Sequence, residues 1–346
     1  MMRLSELRQQ LRDLGCKPCH EDRLLRGWTQ RCSFDRKRSP AATFFPAALN
    51  SELPAIEAKL ENLARIRSEH PAGEGVARLL VELADGQMTE SVLLPRGGLC
   101  VSTQVGCAVG CVFCMSGRNG LLRQLDSAEI VAQVALARRL RRVEKVVFMG
   151  MGEPAHNLDN VLDAIAVLGI QGNIGHKNLV LSTVGDLRVF ERLPQEKVKP
   201  ALAISLHTTD DALRAKLLPK APHIPIAELI EMAEAYARAT HYPTQYQWTL
   251  IEGINDSDEE LERIAELLKD KHAVLNFIPF NTVDGLKFRR PKPERTIEMT
   301  KRLNRQQIYT RIRDSAGQEV EGACGQLRAR AEKSRPVKFA AMQTVA

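Results

Sequence analysis

The chain has 346 residues, a formal net charge of +7 and eight cysteines. With 44% of residues hydrophobic, that length can build a sizeable core, as one large α/β domain with a small appendage. The modest positive balance permits a polyanionic partner, no run is apolar for long enough to cross a bilayer, and clustered, unevenly spaced cysteines argue for metal or redox chemistry over a secreted disulfide framework, so a soluble, cytoplasmic enzyme is expected.

Residues 1–72 read as a small helical unit. "MMRLSELRQQLRDLG" sets Leu4, Leu7, Leu11 and Leu14 on one helical face and is too polar for a signal or transit sequence. "RKRSPAATFFPAALNSELP" reads as an irregular link, and "LPAIEAKLENLARIRSEH", residues 53–70, as a second amphipathic helix. Cys16 and Cys19 form a lone CxxC, with His20 beside it and Cys32 not far off. That pattern is open to a zinc half-site or to an ordinary helix-start loop. Residues 73–98 read as a β-hairpin extension, two short strands turning at Asp85 and Gly86.

From Leu99 the texture changes to short apolar runs alternating with amphipathic helices. The runs "LCVSTQV", "KVVFM", "NLVLST", "ALAISLH", "QYQWTLI" and "VLNFIPF" predict an α/β fold with a partial, open (β/α)6 barrel over residues 99–327, followed by a basic tail at 328–346. Such barrels place their chemistry at the C-terminal ends of the strands. The unusual residues fall there. Cys107, Cys111 and Cys114 follow the first run, and Gly152 and Glu153 of "GMGEP" follow the second. Ser182 ends the third, Ser205, Leu206 and His207 end the fourth, and Asn281 ends the sixth.

The CxxxCxxC array is the sharpest signal. Three thiolates can hold three irons of a 4Fe-4S cluster and leave the fourth open to a non-protein ligand, whereas an electron-transfer cluster is normally closed by four protein ligands. A structural zinc would need a fourth ligand, and no His or Cys lies between Cys114 and His156. Buried, inert thiols are the other alternative. Glycines at 106, 110 and 117 leave room for the loop to wrap a cluster.

This array resembles the signature of the radical S-adenosylmethionine (SAM) superfamily. With "CVSTQVGCAVGCVFC", "VVFMGMGEP", "LSTVG", "AISLH" and "EGACGQL", the chain resembles, over about residues 77–327, the RlmN/Cfr family of radical SAM RNA methyltransferases. The resemblance implies methylation of carbon 2 or carbon 8 of an adenosine in 23S ribosomal RNA, with tRNA as a further substrate of the carbon 2 branch. It also implies a 4Fe-4S cluster on Cys107, Cys111 and Cys114, two SAM molecules per turnover, and SAM contacts from Gly152, Glu153, Ser182, Ser205, Leu206, His207 and Asn281. By the same resemblance Cys324 is methylated and gives up a hydrogen from its S-methyl group to a SAM-derived radical. The resulting methylene adds to the adenine ring, and Cys100 resolves the adduct, leaving a disulfide. Glu90 aligns with the family's proton acceptor. A reducing system such as flavodoxin or ferredoxin, a monomeric state and no membrane association complete what is expected.

The slim neighbours of Cys324, namely Gly322, Ala323 and Gly325, predict a mobile loop. For RNA, the candidates are residues 137–142, 286–295 and 328–338, with the target base unpaired or flipped into the barrel mouth. "MSGRNGLLRQL" is nearer the carbon 8 branch, which leaves the target carbon open. Two competing readings are a radical SAM enzyme with a non-RNA substrate and a cluster-bearing RNA-binding regulator without turnover. Neither needs the thiols of Cys100 and Cys324.

Overall fold

A computed structural model describes residues 2–283 and 285–329. Its strands are β1 (Ala64–Pro71), β2 (Ala77–Leu83), β3 (Met88–Leu94), β4 (Gly98–Cys100), β5 (Gln104–Gly106), β6 (Leu121–Gln124), β7 (Lys145–Phe148), β8 (Leu179–Thr183), β9 (Ala201–Ser205), β10 (Thr244–Leu250), β11 (Ala273–Pro279) and β12 (Thr310–Ile312). β4, β7, β8, β9, β10, β11 and β12 lie side by side in that order, each parallel to the next. The array does not close, because β4 pairs on its other side with β3 and β12 is an edge. Six strands match the predicted runs, and β12 adds a short seventh.

Burial on both faces explains why these strands read as continuous apolar runs. Val146, Phe148, Leu179, Leu181, Leu202 and Ile204 pack outward against the returning helices. Cys100, Val147, Val180, Ala201 and Ala203 alternate with them and pack inward. The helix Ser127–Leu140 begins with a capping box, in which Glu129 reaches back to the Asp126 N–H at 2.9 Å.

The N-terminal helix Leu4–Asp13 forms as expected; a helix that was not expected, Pro18–Gln30, follows it, and both dock on the outside of the barrel. The Leu4 N–H donates to Ser127 Oγ at 2.9 Å, and Arg8 pairs with Asp163 at 3.0 Å. Two expectations are corrected. A helix, Ala47–Glu61, already covers the second half of the irregular link, and it ends well before His70. Residues 64–71 instead form β1, antiparallel to β2 with a bulge between Ile66 and Ser68. The hairpin offers β1 a free edge, and this outweighs the helical preference of the Arg- and Glu-rich segment. The helical unit thus gives its last segment to the sheet. Among the described residues no helix is long and apolar enough to cross a membrane, and residues 330–346, most of the basic tail, lie outside them.

Candidate active site

The cysteine loop hangs between β5 and β6, which pair antiparallel. Cys107 N–H donates to Gly120 O at 3.1 Å, Val112 N–H to Leu217 O at 3.1 Å and Cys114 N–H to Cys111 O at 3.0 Å. Gly106 sits at φ +79°, and a Cβ there would lie 2.1 Å from Gly120 O, so only glycine lets the two arms meet. Burial pushes the Cys107 thiol up to about 11 and Cys111 well above the usual thiol range; Cys114 is raised as well. Neighbouring thiols add to the effect on Cys107 and Cys111. Among the described residues no three His, Cys, Asp or Glu side chains converge as ligands of one metal ion would, these three thiols included. A cubane cluster instead takes its cysteines at separate iron corners, so the thiols surround a volume rather than a point. Three thiols, each raised by burial around one cavity, fit such a cluster, whose binding would displace their protons.

That cavity, of about 150 Å³, is lined by the three cysteines together with Gly152, Glu153, Ser182, Ser205 and His207. Gly152 has φ +102° and a Cβ there would meet Gln104 Cγ at 2.5 Å, which holds "GMGEP" tight against the cysteine loop. Glu153 is buried, and its two carboxylate oxygens accept from the N–H groups of Ala155 and Val184, each at 3.0 Å. Burial pushes its carboxyl up to about 6. His207 adopts φ +65° and its ring stands edge-on to Phe113 at 4.8 Å. Burial, with Arg214 adding, pushes it down to about 3, so it is neutral. Its Nδ1 accepts from Thr249 N–H at 2.9 Å, which leaves the proton on Nε2.

Not every expected residue faces this cavity. The Leu206 side chain is buried in the outer core, and only its backbone serves the strand end. Asn281 donates from Nδ2 to Cys324 O at 2.9 Å and to Ser315 Oγ at 3.1 Å. Gln247, which the sequence reading missed, lines the cavity with a buried Oε1 that has no partner. A glutamine at an inward position of an apolar strand was the available signal. Asn281 Oδ1 is likewise buried without a partner. The unsatisfied Gln247 Oε1 beside the cavity marks where a polar ligand fits, and SAM carries matching groups.

Cys324 lines this cavity and also a second one, of about 330 Å³, that contains Cys100. Cys100 closes β4 opposite Val147. Burial pushes its thiol up to about 12, Cys324 raises it further and Arg313 pulls it down. Cys324 is the exposed member of the pair. The predicted mobile loop is in fact tied down on both sides. Met115 N–H donates to Gly325 O at 2.7 Å, Ser116 Oγ to Leu327 O at 2.8 Å and Gln326 Nε2 to Thr282 O at 3.1 Å. Slim neighbours here serve close approach, since a Cβ on Gly325 would meet Phe113 O at 3.1 Å. Glu90 lies beneath the loop. Its carboxylate pairs with Arg78 at 2.5 Å and accepts from the N–H groups of Arg328 and Ala329 at 2.8 and 3.0 Å.

The CxxC segment opens the helix Pro18–Gln30. Cys16 is buried in the helical core, Cys19 and Cys32 are exposed, and His20 Nδ1 caps its helix by accepting from Lys17 N–H at 3.0 Å. The ordinary helix-start loop is what forms. The basic runs at 137–142 and 286–295 are largely neutralised. Arg142 pairs with Glu144, Arg289 with Glu252 and Arg295 with Asp258, while Arg138 and Arg141 donate to backbone carbonyls.

Residues 101–268 match the family model described as the radical SAM superfamily. A "Probable RNA methyltransferase" of Azoarcus sp. (strain BH72) is 65% identical over 332 residues, 96% of each chain. Another of that name, from Aromatoleum aromaticum (strain DSM 19018 / LMG 30748 / EbN1), is 67% identical over 95% of this chain and 93% of its own. Among solved structures, a radical SAM methyltransferase from Sphaerobacter thermophilus superimposes with a TM-score of 0.81 at 32% identity, covering 95% of this chain and 98% of that one. A three-cysteine loop on an open parallel barrel, matched over nearly the whole chain by these relatives, places the protein in the radical SAM superfamily, as a SAM-dependent methyltransferase.

Proposed function

We propose that the protein methylates a ring carbon, carbon 2 or carbon 8, of an adenosine in RNA, with 23S rRNA the first candidate and tRNA the second. The relatives' names support an RNA substrate. The observation that carries the covalent route is the position of Cys324 in the walls of both cavities. Cys107, Cys111 and Cys114 would hold the 4Fe-4S cluster, and Gly152, Glu153, Ser182, Ser205, His207 and Gln247 would hold SAM beside it. When bound, this pair supplies a methyl group and a radical able to remove a hydrogen atom, with one SAM spent on each.

The chain's own residues supply the rest. Cys324 would receive the methyl group on sulfur from the first cavity, losing its thiol proton, and present the activated carbon to an adenine ring in the second; as the carbon–carbon bond forms, the ring hydrogen leaves as a proton and the unpaired electron passes back to the bound redox group. An adenine ring carbon is too weak a nucleophile to take the methyl group directly, which is what a relay thiol circumvents. Cys100 then attacks the Cys324 sulfur. The carbon–sulfur electron pair leaves with the methylene carbon, which gains a proton to become the product methyl, and the two sulfurs end as a disulfide. Two electrons from a partner such as flavodoxin or ferredoxin restore the thiols. Burial keeps Cys100 protonated, so its attack requires a nearby group to take that proton. Glu90 and Asn281 act here as positioning residues for the Cys324 segment, through the bonds that Glu90 accepts from Arg328 and Ala329 and the bond that Asn281 donates to Cys324 O.

The test is mass mapping of modified adenosines in rRNA and tRNA from cells with and without the gene. The reading expects one methyladenosine to vanish with the gene. Identical maps would refute it.

A further inference from the structure

Three cations stand apart from the neutralised basic runs. Lys145, the first residue of β7, and Arg313, just past β12, line the cavity that contains Cys100 and Cys324. Lys145 shares the inward face of its strand with Val147, and Arg311 shares a face with Arg313, by the two-residue period of a strand. Among the described residues none of the three side chains makes a hydrogen bond or ion pair. Arg311 only stacks over the Tyr309 ring at 5.6 Å. Asp314, the acid in the same wall, is taken by Arg290. The Lys145 ammonium is held below its ordinary value by burial, with Arg313 and Arg311 adding repulsion. Like charges gathered without a counter-charge are unfavourable until an anion joins them.

Their place in the fold says which anion. Lys145 begins β7, whereas Arg311 lies within the edge strand β12 and Arg313 just past it, so the cavity that holds Cys100 and Cys324 is walled by β4 and β7 on one side and by the β12 edge on the other. A nucleoside presented to Cys324 through the cavity brings its own backbone with it. We propose that Lys145, Arg311 and Arg313 form a phosphodiester site at the mouth of this cavity, gripping the RNA backbone beside the target adenosine. RNA then approaches the cavity along the β12 edge, and not over the strand-end rim where residues 286–295 lie. This inference rests on the RNA reading above and adds the route and the contact residues.

The test uses cluster-loaded full-length enzyme and a synthetic RNA hairpin with one unpaired loop adenosine, with ordinary or methylphosphonate linkages flanking that adenosine. Wild type is expected to bind with a steep salt dependence and to prefer the charged linkage. K145Q/R311Q/R313Q is expected to show a log–log salt slope shallower by about 0.7 for each contact removed, and no preference between linkages. Its iron content and SAM affinity should match wild type, and K145R/R311K/R313K should keep the wild-type slope. If wild type binds with salt dependence but the glutamine variant keeps the same slope and preference, the site is wrong and the RNA reading stands. Loss of slope in the charge-preserving variant would also overturn the site, since packing and not charge would be responsible. Wild type that binds the hairpin only independently of salt, or not at all, would refute both.

Discussion

Arg78 and Glu90 form a buried ion pair across β2 and β3, with Nη1 and Oε1 2.5 Å apart, and each uses its remaining atoms to hold one end of the Cys324 segment. Arg78 Nε donates to Val320 O at 2.5 Å, while the other Glu90 oxygen accepts from the N–H groups of Arg328 and Ala329. Both side chains are almost fully buried, so removing one partner strands a charge. Arg78→Met or Glu90→Leu should each cost about 3–5 kcal/mol, and the double variant much less. Denaturant titration measures this. All three variants should also alkylate faster at Cys324 than wild type, because the clamp on its segment is gone. Equal stability in the single variants would contradict the clamp.

Gly106 offers a backbone test of the cysteine loop. Alanine there must adopt φ +79° and displace Gly120 O, 2.1 Å from its Cβ. The strain alone is about 1–3 kcal/mol, and relief requires β5 and β6 to part. Gly106→Ala should therefore lose most of its iron and sulfide after anaerobic reconstitution, as should alanine at Cys107, Cys111 or Cys114. Gly86→Ala, at a hairpin turn with open space around it, should keep its iron. Iron and acid-labile sulfide assays read the outcome.

His207 predicts a pH dependence of known sign. Its folded value of about 3 lies below the ordinary 6.5, so the unfolded chain binds the proton more readily. The stabilisation from neutral His207 is complete above about pH 6.5 and is lost as pH falls toward 3, by up to about 1.4 kcal/mol per pH unit. His207→Gln should flatten that component. Comparing denaturant midpoints of wild type and variant between pH 7 and pH 5 checks it, with the gap between them narrowing as pH falls.

Much of the barrel was legible because strands buried on both faces leave unbroken apolar runs, and because chemistry collects where those runs stop. β12 was not, since a three-residue edge strand with exposed Arg311 and Ile312 carries no periodic signal. β1 was misread because "ARIRSEHP" continues a helical composition, and its pairing is decided by the free edge of β2. The cysteines, Glu153 and His207 were legible from motif and position. Gln247, Arg78 and the Lys145, Arg311 and Arg313 group were not, because their meaning lies in what strands distant in sequence bring together. The fixed Cys324 loop was missed for the same reason: its anchors, Met115, Ser116, Thr282 and Glu90, come from three other parts of the chain.

The covalent relay through Cys324 is tested most directly by mass spectrometry of the Cys324 peptide from cells expressing Cys100→Ala, with and without nuclease. The account predicts RNA fragments covalently attached to Cys324, because the segment can still receive the methyl group and react but has no thiol to release it. Cys324→Ala, alone or with Cys100→Ala, should carry no adduct and yield no methylated adenosine. Free, unmodified Cys324 in Cys100→Ala, alongside methylated adenosine at the wild-type level, would contradict the relay.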